Sequence, residues 1–195
     1  MDFNILGGKN MNRESIQIMM EEHQYIKRML EVIRRYCYRV LQGKEVEYTD
    51  VYRIIDFIRN YADRHHHGKE EKILFNRMME EMGALGEKLI RQGMLVEHDL
   101  GRLYTQELEI AVGKVINGDE ESKLDLIANA IGYTHLLHRH IDKEDEVIYT
   151  FAEKNLSAEI LDEVDEQCKT HDIKEEKEGT QQKYISLVEE LENKY

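Results

Sequence analysis

Apolar residues recur near the start of the chain in alternating steps of three and four, at Ile16, Met19, Ile26, Leu30, Ile33, Cys37 and Val40. That spacing marks one face of an α-helix. His23 stands in the same series where the pattern calls for an apolar residue, so a polar ring enters a core position and needs a partner there. The series predicts a first helix from about Arg13 to Leu41, capped by Asn12 and ended by Gly43.

A second helix is predicted from Thr49 or Asp50 to about Met82, with Gly83 and Gly86 marking a loop. Ile55, Ile58, Ala62, His66, Glu70 and Ile73 share one face of it. His65 and His67 each lie about 100° from His66. They are read as its solvated neighbours, with ligation beside Glu71 as the alternative for one of them. A third helix between Leu85 and Ile116 is interrupted by Gly86, Gly93 and Gly101, yet Met94, His98, Thr105, Val112 and Ile116 fall within one arc. Gly118-Asp119 reads as a turn.

The fourth helix, about Ser122 to Glu153, carries Leu126, Ala130, Tyr133, Leu137, His140, Glu144, Val147 and Phe151 on one stripe. His135 and His138 face away from it, towards solvent or a fifth helix. That fifth helix begins at a Ser157 cap and carries Ile160, Leu161, Val164 and Cys168. Charged runs at 119–121 and 175–178 read as solvated surface. After a break at Gly179, Tyr184, Leu187, Val188 and Leu191 form a short helix that packs on the bundle or on a second copy.

Two segments repeat one another: His66-His67-Gly68-Lys69-Glu70-Glu71-Lys72-Ile73-Leu74-Phe75 and His140-Ile141-Asp142-Lys143-Glu144-Asp145-Glu146-Val147-Ile148-Tyr149. Each has His and Glu four residues apart, one turn along a single helix face. Glu22-His23 precedes the first copy much as Glu97-His98 precedes the second. Duplication of a helical hairpin explains this order. Folding the hairpins together yields an all-α, up-down four-helix bundle in which four imidazoles and two carboxylates meet. The bundle is expected over residues 12–153, with a C-terminal helical extension over 154–195 packing on it.

Composition supports long helices: the 195 residues include no proline, and 34% are charged. A net charge of −13 disfavours nucleic acid and anionic membranes as partners. No apolar run approaches the roughly 18 residues that a membrane span needs, and MDFNILGGKN is not a signal sequence, so a cytoplasmic location is expected. Cys37 and Cys168 are the only cysteines and are too far apart in sequence to read as a thiolate metal motif; Cys37 reads as a buried small hydrophobe.

Imidazole and carboxylate donors without thiolates suit iron, with zinc or manganese as substitutes. The chain resembles the hemerythrin-like HHE cation-binding family over about Met19 to Phe151. The match is carried by Glu22-His23, His66-x-x-x-Glu70-Glu71, Glu97-His98-Asp99 and His140-x-x-x-Glu144-Asp145. The resemblance implies a four-helix bundle with two iron ions, His23, His66, His98 and His140 as terminal ligands, and Glu70 and Glu144 as bridges. Oxygen carriers of the family have a further histidine one turn from the third-helix ligand, where this chain has Met94 and Arg102. His171, a tyrosine or another carboxylate fills that coordination position, or it stays exchangeable. The implied function is binding of O2, NO or peroxide in sensing, buffering or response to oxidative and nitrosative stress. A di-iron reductase, or an iron donor in iron–sulfur cluster repair, is the alternative. A redox partner protein and a homodimer are possible partners. Among the tyrosines, Tyr133 shares the His140 stripe and is the candidate donor to a ligand or bridging carboxylate; Tyr25 and Tyr104 read as core or rim.

Overall fold

The computed structural model describes residues 13–195, so the Asn12 cap and the reading of the first ten residues lie outside it. Helix α1 (Glu14–Leu41) begins after Arg13, whose backbone N–H donates to Glu153. A second rod starts as α2 (Thr49–Phe57), passes through π-helical turns at Ile58–His67 and Glu70–Leu74, and continues into α3 (Phe75–Leu89). Gly83, with φ 54° and ψ −130°, breaks α3 where a side chain would be strained. Gly86 is helical instead of part of a loop, and a Cβ there would lie 2.3 Å from the Met78 carbonyl oxygen, which explains the glycine.

The third rod runs on through a π-helical turn at Ile90–Met94 into α4 (Leu95–Ile116). The glycines at 93 and 101 leave it unbroken. Past Gly118, a 3₁₀ turn at Glu120–Ser122 leads to the fourth rod, formed by α5 (Lys123–Lys143), a π-helical turn at Glu144–Ile148 and α6 (Tyr149–Asn155). Helix α7 (Ala158–Lys177) is capped by Ser157, whose Oγ accepts from the Ile160 N–H, and α8 (Thr180–Lys194) follows Gly179 at φ 70°. The result is an all-α bundle of four rods with two further helices. Among the described residues there is no strand, and no helix is long and apolar enough to cross a membrane.

The predicted stripe of α1 is buried throughout, His23 included. In the fourth rod the π-helical turn shifts the phase by one residue. Ile148 therefore takes the inward place expected of Val147, which is 52% exposed. Ile116, in the last turn of α4, also points outward. The final helix packs on the bundle through Tyr184, Val188 and Leu191. Glu175 departs from the solvated reading of its charged run: it is buried and accepts from Arg64 and Thr180.

The apolar core falls into two clusters. One holds Ile26, Leu30, Ile58, Ala62, Leu137 and Ile141, and the other Ile16, Met19, Leu74, Phe75, Ile148 and Tyr149. In all four rods the residues between these levels are the histidines and glutamates singled out by the repeat.

Candidate metal centre

Every rod contributes to this polar layer, and three of its six residues fall inside π-helical turns. His66 lies in the turn 58–67, Glu70 begins the turn 70–74 and Glu144 begins the turn 144–148. Such turns recur at functional sites because they re-aim side chains without ending the helix. His23, His66, Glu70, His98, His140 and Glu144 are all at most 2% exposed.

The histidines meet in pairs. His66 Nε2 lies 2.8 Å from His23 Nε2, and His98 Nε2 lies 2.9 Å from His140 Nε2. The rings of each pair are steeply inclined, at 61° and 70°. At that separation two nitrogens can share one cation at the roughly 2.0–2.1 Å of a metal–imidazole bond. The carboxylates lie between the pairs. Glu144 places Oε2 3.4 Å from His23 and Oε1 3.1 Å from His140, while Glu70 Oε2 is 3.6 Å from His66 and 3.7 Å from His98.

All four Nδ1 atoms are held by carboxylates: His23 by Asp145 at 2.6 Å, His66 by Glu22 at 2.8 Å, His98 by Glu71 at 2.7 Å and His140 by Glu97 at 2.9 Å. Each such carboxylate accepts an Nδ1–H, so the Nε2 lone pairs are turned to the centre, as metal-binding histidines require. The arrangement obeys the two-fold relation of the repeat. Glu22 and Glu97 serve the second- and fourth-rod histidines, while Glu71 and Asp145 serve the third and first. Lys69 on Glu22 and Lys143 on Glu97 extend the symmetry, each at 2.5 Å.

The electrostatics call for cations. Burial and the facing Glu144 push the Glu70 carboxyl well above its usual range. Burial acts in the same direction on Glu144, yet the surrounding histidines, His140 foremost, hold it well below. Glu70 Oε2 and both Glu144 oxygens are buried without a hydrogen-bond donor. Orphaned oxygens of this kind cost several kcal/mol each when uncompensated, so the donor set fits metal ions.

Two neighbours of His66 differ from expectation. His65 is fully buried and His67 is 6% exposed, because both flanks of the second rod are covered. His65 faces α7, where it stacks on His171 with centroids 5.6 Å apart, and His67 stacks on His98 of α4 at 3.8 Å. His67, His98 and His140 bring ligand atoms within 4.8 Å of one another, whereas His171 joins no such group among the described residues. His135 is exposed, and His138 lies 3.5 Å from Glu31.

Tyr149, not Tyr133, donates to the carboxylates, with its hydroxyl 2.5 Å from Glu70 Oε1. Its counterpart in the repeat is Phe75, and that difference was the available signal. Tyr133 instead lines a cavity of about 110 Å³ between the second, third and fourth rods, which reaches His67, His98 and His140. The roles of Glu22, Glu71, Glu97 and Asp145 also escape a periodicity argument, although each adjoins a site residue in the sequence.

No curated protein and no solved structure gives a significant match to the chain. The hemerythrin HHE cation-binding domain model matches residues 14–152, which span all six residues of the polar layer. The chain belongs to the hemerythrin HHE cation-binding domain family, and its buried His/Glu clusters are those of a metal-binding bundle.

Proposed function

We propose that the chain is a non-haem di-iron protein that takes up a small ligand, O2, NO or peroxide, in sensing or buffering. His23 and His66 would hold one ion, His98 and His140 the other, and Glu70 and Glu144 would serve both. The observation that carries this reading is Glu144, whose two oxygens face opposite histidine pairs and have no hydrogen-bond donor. Iron bound there supplies open coordination positions and a redox couple for small oxidising or diatomic ligands. The protein supplies orientation: four carboxylates fix the imidazoles, Tyr149 fixes Glu70, and apolar clusters on both sides keep bulk water away. The cavity is well below the roughly 300 Å³ at which organic-ligand pockets begin, which favours small ligands over larger organic ones.

The test is anaerobic loading with ferrous iron, quantified per chain, followed by absorption spectra on adding air, NO or peroxide. Two irons per chain and long-lived ligand-dependent bands are expected. Little iron, or two irons with no spectral response to any ligand, overturns the proposal. Bands that decay and re-form only with an added electron donor would make the protein a reductase.

A further inference from the structure

His67 completes the group around the His98/His140 pair, yet its geometry differs from that of the other histidines. The rings of His67 and His98 are parallel within 7° with centroids 3.8 Å apart. A histidine nitrogen directs its lone pair within the ring plane. Two parallel rings stacked at that distance cannot both aim at one cation, unlike the inclined pairs His23–His66 and His98–His140. His67 therefore lies over the ligand ring of His98, on the side where the cavity opens.

Its hydrogen bonding sets its polarity. His67 Nδ1 lies 3.3 Å from Asp63 Oδ1, and Arg102 donates to the same oxygen at 2.7 Å. A carboxylate paired with an arginine is an acceptor, so Nδ1 carries the hydrogen and Nε2 the lone pair. No protein group bonds that Nε2 among the described residues. The corresponding residue of the other half is Ile141, which offers no such group.

We propose that His67 is not a metal ligand but a hydrogen-bond acceptor for a small molecule seated in the cavity beside the His98/His140 position, selecting a ligand that bears an O–H, of which hydrogen peroxide is the simplest. The inference rests on the di-iron reading and sharpens it, because O2 and NO carry no proton to donate. His67 would receive the O–H through Nε2 while Asp63, itself held by Arg102, keeps the imidazole in the accepting tautomer. The hydrogen bond is worth up to about tenfold in affinity, the upper end of the roughly 0.5–1.5 kcal/mol that a typical one contributes.

The experiment compares iron-loaded wild type, His67→Leu and His67→Gln. It measures iron per chain, and affinities for hydrogen peroxide and NO by rapid-mixing spectroscopy. Two irons in all three proteins, peroxide binding weakened by up to about tenfold in His67→Leu and partly retained in His67→Gln, and NO affinity unchanged within about twofold are expected. Loss of iron in His67→Leu would make His67 a ligand and overturn the proposal. Equal weakening of peroxide and NO would assign it a space-filling role and overturn it as well. If His67→Leu does not fold, His67→Gln decides: a partial loss of peroxide affinity with NO affinity unchanged supports the proposal, and equal loss of both, or no loss of either, overturns it. Wild type without two irons would instead refute the di-iron reading.

Discussion

Glu22 and Glu97 are equivalent by the repeat but differ in burial, so the same substitution should weigh unequally on the stability of the metal-free protein and equally on metal affinity. Each holds an imidazole Nδ1 and accepts from a lysine at 2.5 Å. Lys69 is fully buried, whereas Lys143 is 40% exposed. Glu22→Gln keeps the shape and leaves Lys69 with Asp172 as its one remaining anion. Breaking a buried ion pair costs about 3–5 kcal/mol, and the remaining Asp172 contact favours the lower figure. Glu97→Gln breaks a solvent-screened pair worth about 0–1 kcal/mol. The metal-free Glu22→Gln protein should therefore be less stable than metal-free Glu97→Gln by about 2–3 kcal/mol, or roughly 4–12 °C in Tm for a chain of this size. Both variants should lose metal affinity by a similar factor, about 10–100-fold, because each frees one ligand imidazole. Denaturant titration of the two metal-free proteins, with metal competition titrations alongside, measures both quantities. Equal metal-free stabilities within about 1 kcal/mol would refute the claim that burial of Lys69 separates the halves.

Glu70→Ala and Glu144→Ala should each lose bound metal while circular dichroism stays helical; two ions retained in both would remove these carboxylates as bridges. Tyr149→Phe removes a donor to a buried carboxylate and should cost about 1.5–3 kcal/mol in unfolding free energy, and an unchanged denaturant midpoint would contradict the bond to Glu70. Metal uptake at pH 7 should release protons, measured by calorimetry in buffers of different ionisation enthalpy. Burial opposes charge on both His23 and His140, but Asp145 and Glu144 raise the first, and Glu144 and Glu97 raise the second to about 10 from 6.5. A metal-free site therefore holds protons that a cation must displace, and the stability lent by protonated His140 is complete below about 6.5 and lost as pH rises to about 10. Proton-free uptake would contradict this. Burial pushes the Cys37 and Cys168 thiols up to about 12, so the native protein should resist a thiol reagent that labels both after unfolding.

The stripe of the first rod was fully legible because a regular α-helix keeps phase over many turns, and there His23 stood out as a polar residue on an apolar face. In the second rod His66 and Glu70 stood out in the same way, and the stripe from Ile55 to Ile73 is buried although π-helical turns at 58–67 and 70–74 lie within it. The fourth rod was legible as far as Glu144; beyond it the π-helical turn moved the inward place from Val147 to Ile148, a shift that a fixed angle per residue does not register. His65 and His67 were misread for a different reason. Their angular positions were right, but exposure depends on what covers a flank, and α7 and α4 lie too far along the chain for periodicity to report that cover. The bonds from Glu22, Glu71, Glu97 and Asp145 to histidines on other rods depend on how the rods are staggered. Adjacency in sequence marked these residues without revealing which histidine each would hold.

The two halves of the repeat begin alike and end unlike because α7 lies against one of them. Asp172 of α7 accepts from Lys69 at 2.7 Å, and His171 stacks on His65, so the side carrying Glu22 and His66 is sealed by protein. Tyr149 adds to this side, its ring parallel to that of His23 at 5.7 Å while its hydroxyl holds Glu70. Among the described residues no equivalent helix seals Glu97, whose side chain is 27% exposed against 4% for Glu22. There Lys143 meets solvent, Phe75 replaces the tyrosine, and the cavity reaches His98 and His140 beside His67. A symmetric donor set has thus acquired one shielded and one accessible position, through residues that lie outside the repeat or differ within it. If the di-iron proposal holds, ligand exchange would belong at the His98/His140 position, and the shielded position would serve mainly to hold the second cation and, through Glu70 and Glu144, to set the charge that the accessible one presents.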